Sequence, residues 1–248
     1  MSPTSEDPHG ILTDMEQYPE AYVTWQHIIY KAGTHGETYL NKDAYLQIPD
    51  VAERVADLIA KNISEWSVII APATSSTINL AKMVAERVKD CICIETKKVA
   101  DRHVFDEGAI SQLAACSGKT IYLVDDILNN GETLRQVQSA LAEQDHTLSG
   151  FHVMVNRNPE ASANINIPLS ALAIVQINQW DENEVPDWLK ARDASTKLGK
   201  WKNWKEKPGE TMSELFFRER MAKEKLGFHF DDGMRVVEEE GKFSLVQR

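Results

Sequence analysis

A chain of 248 residues is long enough for one substantial core with appendages. Its 38 acidic residues outnumber 27 basic ones for a formal net charge of −11, which argues against nucleic acid as a partner, because phosphate backbones would be repelled. The three cysteines, Cys91, Cys93 and Cys116, lack CxxC or Cys/His spacing; that disfavours a disulfide framework and a zinc site and suits a reducing cytoplasm.

The opening MSPTSEDPHG has no basic flank before an apolar core, and no later stretch approaches the length of a bilayer span. A soluble, unsecreted protein with no membrane partner is expected, with residues 1–10 as a flexible N-terminus. Within the segment 11–50, IIYKAGTHGETYLNKDAYL (28–46) reads on its own as a hairpin with a glycine-containing turn. Val51, Val55, Leu58 and Ile59 then give a helix that packs on a sheet. SVIIA (67–71) is a strand, and IIAPATSSTINLA (69–81) carries it through Ala73, Thr74, Ser75 and Ser76 into a helix. Taken alone, this is equally an ordinary strand–helix turn capped by Ser or Thr. Ile78, Ala81, Val84, Ala85 and Val88 form that helix's apolar stripe. CICIE (91–95) is a second strand, whose alternation puts Cys91 and Cys93 on one face as small buried apolar side chains.

The connection from Thr96 to Lys119 is long and polar, with only a weak periodic patch near Ile110–Ala115. Connections of this length in α/β domains are usually functional or mobile, which marks this one as a candidate lid. TIYLVDD (120–126) follows, then a helix with Leu134, Val137 and Leu141 on one face, then the strands FHVMV (151–155) and ALAIVQI (171–177). Nearly continuous apolar strands separated by amphipathic helices indicate an α/β core with a parallel sheet covered on both faces, over residues 51–180. Beyond it, 181–248 is a charged extension in which Trp188, Trp201 and Trp204, with Trp180 just before, are interleaved with Lys and Asp. A helical pattern runs there from Thr211 to about Leu226. The tryptophans are expected to pack the tail onto the core.

The segment IYLVDDILNNGETLRQV (121–137) sets Asp125 and Asp126 side by side where a buried strand gives way to a loop. In an open parallel sheet, ligands sit beyond the carboxyl ends of the strands. Here Gly131 lets the backbone curl close, Asn129, Asn130 and Thr133 add polar side chains, and a helix beginning near Thr133 points free N–H groups inward, so a phosphate fits. The acidic pair can accept hydrogen bonds from vicinal ribose hydroxyls, and a divalent cation would offset its self-repulsion. An Asx turn with a helix cap accounts for Asn130 and Thr133 but not for two adjacent carboxylates.

YLVDDILNNGETL resembles the phosphoribosyl-pyrophosphate (PRPP) signature of the type I phosphoribosyltransferases, with two asparagines where that family commonly has Thr-Thr or Asn-Thr. The resemblance implies that fold, Rossmann-like with an N-terminal hood. It implies that Asp125 and Asp126 hold the ribose hydroxyls, beside Mg²⁺, and that Asn129, Asn130, Gly131, Glu132 and Thr133 cradle the 5-phosphate. The loop Ala73–Ser76 is similar to the family's pyrophosphate loop, with serines in place of its usual glycines. Residues 28–46 resemble the hood of the orotate phosphoribosyltransferases, which makes Lys31, Thr34 and His35 candidate contacts to an acidic base. In the lid, Lys97 and Lys98 match that group's basic pair and His103 its histidine; Asp101 stands where a lysine is expected, with Arg102 beside it, and no glycine follows His103. The implied activity is 5-phosphoribosyl transfer from PRPP to a nucleobase, orotate first, in a cytoplasmic homodimer. A transferase for a purine or other base and a PRPP-sensing protein without turnover remain open.

Overall fold

Runs such as SVIIA and FHVMV are apolar at consecutive positions because both faces are covered: every residue of Ser67–Ala71 and Gly150–Asn156 is buried. The computed structural model describes residues 5–18, 21–30, 34–100, 102–190, 234–239 and 242–247. In chain order its elements are β1 (Ser5–Glu6), α1 (Ile11–Met15), β2 (Tyr22–Ile29), β3 (His35–Leu40), α2 (Lys42–Leu46), α3 (Pro49–Ala60), β4 (Ser67–Ala71), α4 (Ser75–Arg87), β5 (Ile92–Glu95), β6 (Lys97–Val99) and β7 (Arg102–Val104). Then come α5 (Glu107–Ala115), β8 (Thr120–Leu128), α6 (Glu132–Ala142), β9 (Gly150–Asn156), α7 (Pro159–Ser162), β10 (Leu169–Val175), β11 (Gln179–Trp180), α8 (Asp187–Lys190), β12 (Met234–Glu239) and β13 (Lys242–Gln247). Lys31, Asp101, Trp201, Trp204 and the helical pattern of 211–226 lie outside the described residues.

The chain divides into two compact units, Met1–Asp14 with Lys42–Ile177, and Met15–Asn41 with Asn178–Arg248. Residues 42–50, grouped with the hood in the sequence reading, therefore pack with the sheet.

The first unit is built on a six-stranded sheet in the order β1-β10-β9-β8-β4-β5, parallel except for β1. On one face α3 buries Val51, Val55 and Ile59, and α4 buries Leu80, Ala81 and Val84. On the other, Leu113 of α5 and Leu134, Val137 and Leu141 of α6 join Val68, Ile70, Leu123, Phe151 and Val153 in one cluster. Each fully buried side chain of this size contributes about 1.5–3 kcal/mol. Arg87 at the end of α4 ties the two helices of its face together by pairing with Glu53 and Asp57 of α3.

Three local features differ from the sequence reading. Ser5 and Glu6, expected in a flexible end, pair with Val175 and Ile174 as an edge strand, because β10 would otherwise present unpaired backbone groups. Asp7 then caps α1, accepting from the Ile11 N–H at 2.6 Å. The described residues of the polar connection 96–119 form the β6–β7 hairpin followed by α5, whose N-cap Asp106 accepts from the Ala109 N–H at 2.8 Å. Cys91 and Cys93 are half-buried, since β5 is an edge strand; all three cysteines are free, and burial pushes these two thiols up to about 11 and about 12. They stay protonated near neutrality.

At the amino-terminal edge of the sheet, the residues leading into β4, β5 and β8 take positive φ: Trp66 (61°), Asp90 (54°) and Gly118 (82°). Lys119 lies 5.8 Å from the Trp66 ring centroid.

The second unit holds an antiparallel sheet, β11-β3-β2, whose β2–β3 register shifts between Thr24 and Ile28, and a separate β12–β13 pair. Trp180 and Trp188 meet edge to face with centroids 5.9 Å apart.

Candidate functional site

The carboxyl edge of the parallel sheet gathers two loops. After β4, the chain turns through Ala73 and Thr74 into α4, where the Thr74 carbonyl accepts the first helical bond from the Ile78 N–H at 2.9 Å. The N–H groups of Ser75, Ser76 and Thr77 precede that bond, as in the first turn of any helix. After β8, the chain passes Asn129 and Asn130, and Gly131 adopts φ 74°, a left-handed conformation that a side chain would strain, to enter α6. Two helix N-termini, of 13- and 11-residue helices, thus open at one sheet edge.

Asp125 and Asp126 lie between them and are buried, at 7% and 3% exposure. Such a pair persists only with donors around it. The Thr77 hydroxyl donates to Asp126 Oδ2 at 2.7 Å and reaches Asp125 Oδ1 at 3.4 Å; the Ser76 hydroxyl donates to the same Asp126 oxygen at 3.1 Å. Backbone groups complete the set, the Asp126 N–H to Asp125 Oδ1 at 2.9 Å and the Ile127 N–H to Asp126 Oδ1 at 2.7 Å. Lys42, the first residue of α2, forms an ion pair with Asp126. Burial pulls the Lys42 ammonium down, but Asp126, with Asp43 and Asp125, outweighs it and the net direction is up, so it stays charged. Burial, and then the Asp126 charge, push the Asp125 carboxyl well above the usual carboxylate range.

In the second loop, Asn130 Oδ1 accepts from the Glu132 N–H at 3.1 Å, which is the Asx turn foreseen as the plain explanation of that residue. Arg157, just past the end of β9, donates from Nε to Asn129 Oδ1 at 3.0 Å and brings a cation beside the loop. Thr133 is half-buried in the first turn of α6; Glu132 is exposed and pairs with Arg135 at 3.0 Å.

The lid residues assemble elsewhere on this unit. Lys97 pairs with Asp106 at 2.7 Å, and Lys98 and Arg102 are exposed on the hairpin. His103 is buried; Nδ1 lies 2.8 Å from Thr96 Oγ1, and its backbone N–H donates to Gln136 Oε1 of α6 at 3.1 Å. Burial, then Lys98, hold the imidazole below its ordinary range, so it is neutral at pH 7. A cavity of about 610 Å³ between hairpin and α6 is lined by Arg102, His103, Glu132, Arg135 and Gln136 among others. The hairpin is thereby docked along α6, next to the entrance of the phosphate-type loop.

In the second unit, Thr34 Oγ1 donates to Gln179 Oε1 at 3.0 Å, and His35 Nδ1 lies 2.7 Å from His27 Nε2.

Thr77 and Arg157 are not singled out by the sequence, and Lys42 enters there only as one of the residues that carry the hood resemblance, not as a partner of the acidic pair. Thr77 follows directly on the chosen loop, and Arg157 stands at a strand's carboxyl end, a position that itself signals a site. Lys42 sits in the quoted hood stretch but 84 positions from its partner, with no local sign of the pairing.

A family model described as Phosphoribosyl transferase domain matches residues 41–187. The orotate phosphoribosyltransferase of Thermus thermophilus is 25% identical over 162 residues, covering 64% of this chain and 85% of that protein. Among solved structures, UMP synthase of Leishmania donovani aligns with a TM-score of 0.52 at 15% identity, over 67% of this chain and 36% of that one. The adenine phosphoribosyltransferase of Saccharomyces cerevisiae gives 0.49 at 10% identity, over 65% of this chain and 99% of that one.

Proposed function

Because the chain belongs to the phosphoribosyl transferase domain family and carries its type I fold, we propose that it transfers the 5-phosphoribosyl group of PRPP to orotate, releasing pyrophosphate. The observation that carries this reading is the convergence of two strand-end loops on one buried acidic pair, with Thr77 bonded to Asp126 at 2.7 Å. A ligand with a phosphate at one end, a hydroxylated sugar between and a pyrophosphate at the other matches that order of groups.

In the reaction the bond from the anomeric carbon to pyrophosphate breaks with its electron pair leaving on oxygen. A base nitrogen, giving up its proton, forms the new bond. The transition state has oxocarbenium character, so positioning and charge stabilisation are the protein's tasks. Asp125 and Asp126 fix the ribose hydroxyls, Asn129, Asn130, Gly131, Glu132 and Thr133 receive the 5-phosphate, and Ala73, Thr74, Ser75 and Ser76 receive the pyrophosphate. Among the described residues no group of three or more His, Cys, Asp or Glu side chains is placed to hold a metal ion. Asp125 and Asp126 are the residues that would hold Mg²⁺ in this reading, and the ion would supply charge neutralisation to the leaving pyrophosphate. Lys97, Lys98, Arg102 and His103 act from the hairpin on the pyrophosphate side, and closure of 96–118 excludes water.

Orotate is favoured by the hood resemblance of residues 28–46, by the name of the Thermus relative, and by Arg157, a cation suited to an acidic base at the edge of the site. Lys31, Thr34 and His35 are the hood contacts in this reading. A homodimer belongs to it, as does a cytoplasmic setting; among the described residues no helix is long and apolar enough to cross a membrane.

A sensor without turnover has one observation in its favour, the engagement of Lys97 by Asp106 and of His103 by Thr96. Pyrophosphate release with PRPP, Mg²⁺ and a panel of bases decides. Turnover with orotate is expected; turnover only with another base moves the acceptor, and tight PRPP binding without turnover selects the sensor.

A further inference from the structure

Lys42 lies outside the pattern that points to the ribose and phosphate loops, yet its ammonium touches both strand-end loops. It forms an ion pair with Asp126 and lies 3.3 Å from Ser76 Oγ. The Asp126 oxygen it meets also accepts from Ser76 and Thr77, so three donors surround one carboxylate oxygen as ligands surround a cation. The pair is shielded, with 25% of the Lys42 side chain and 5% of that of Asp126 exposed, which makes it far less subject to solvent screening than a surface pair.

The backbone that aims this lysine is itself held. Three residues on in α2, Tyr45 is fully buried and its hydroxyl donates to Asp14 Oδ2 at 2.7 Å. Arg54 of α3 reaches the same carboxylate at 2.5 Å and the Tyr45 hydroxyl at 2.9 Å. A short helix pinned at its end by such a network presents its first residue in a fixed direction.

We propose that Lys42 is a positioning residue, an internal counter-ion that keeps Asp126 and the Ser76 loop in register until the divalent-metal complex of a pyrophosphate substrate takes over the neutralisation. The inference rests on the reading of the acidic pair as the ribose anchor. Without the ammonium, Asp125 and Asp126 face one another with hydroxyl and amide donors alone, and Asp126 becomes available to a metal ion.

The test compares Lys42→Met, Lys42→Gln and Lys42→Arg with the parent protein in two measurements. In steady-state kinetics, Lys42→Met is expected to raise the KM for PRPP roughly tenfold, the size of one charge-assisted hydrogen bond, with a smaller change in kcat and none in the KM of the base. Lys42→Arg should recover part of that loss. In a manganese titration followed by electron paramagnetic resonance, without PRPP, Lys42→Met is expected to bind Mn²⁺ about tenfold more tightly than the parent, a gain abolished by adding Asp126→Asn. A merely structural lysine would shift neither the PRPP-specific KM nor the metal affinity. If Lys42→Met does not fold by circular dichroism, Lys42→Gln, which keeps an amide donor without charge, carries both arms. Absence of either shift overturns the proposal. If the parent protein binds no PRPP, it is the ribose reading that fails, and the manganese arm alone judges whether Lys42 is the counter-ion.

Discussion

Thr77 donates its hydroxyl to Asp126 across 2.7 Å, joining the first turn of α4 to the end of β8. The bond is buried and its acceptor is a carboxylate. Thr77→Val keeps the shape and removes the donor, so a loss of about 1–3 kcal/mol in stability is expected in urea denaturation. PRPP affinity should fall with it, because Asp126 loses one of the groups that orient it. Unchanged stability would mean that Ser76 and Lys42 suffice.

Asp126→Asn keeps the side chain's size and removes its charge. PRPP affinity is expected to drop by roughly tenfold or more, the worth of a charge-assisted bond, while far-ultraviolet circular dichroism shows a folded domain. Calorimetric titration with PRPP and Mg²⁺ measures it, and parent-like affinity would remove the ribose assignment.

On the hairpin, Lys98→Ala should lower turnover far more than PRPP binding, since its side chain is exposed and is assigned to the leaving group. Equal losses in kcat and donor affinity would contradict that assignment. Lys97→Ala breaks only a solvent-exposed pair with Asp106, so the midpoint of urea denaturation should stay close to that of the parent protein.

His152 predicts an acid limb of stability. It is buried in β9 beside Tyr122, with centroids 5.3 Å apart, and neither ring nitrogen has a hydrogen-bond partner among the described residues. Burial holds its pKa down at about 4, against 6.5 in the unfolded chain. Between those values the unfolded state binds the proton and the folded state does not. Stability is therefore intact above pH 6.5, falls as the pH is lowered through that window, and has lost about 3 kcal/mol from this group by pH 4. Denaturation of His152→Leu across the same range should show a flatter profile; a parallel profile would assign the acid loss to other groups.

Gly131 tests the backbone of the phosphate loop. Its φ of 74° is left-handed, so Gly131→Ala should cost about 1–2 kcal/mol. PRPP affinity should fall as well, because the turn that aims the start of α6 relaxes.

The fold was legible where the physics is local. Strands covered on both faces read as apolar runs, and Leu134, Val137 and Leu141 recur at helical spacing, so the α/β core could be read from the chain. The acidic pair and its loop were legible for the same reason, since strand, carboxylates, glycine and helix are contiguous. Contacts between distant segments leave no such trace. Lys42 and Asp126 are 84 positions apart, and the pairing of Arg157 with Asn129 spans 28. The β6–β7 hairpin leaves no mark in the sequence because its three-residue strands carry charge on exposed positions, where neither burial nor alternation shows. Likewise, β1 is a strand only because β10 offers it an edge.

The left-handed residues that lead into β4 and β5 sit at the end of the sheet away from the ligand loops. Trp66 and Asp90 hold a conformation that costs a side-chain-bearing residue about 1 kcal/mol or more, most severely for a bulky one. Thermostability can therefore be engineered at that remote rim, by glycine at Asp90 for instance, without the usual trade against catalytic geometry.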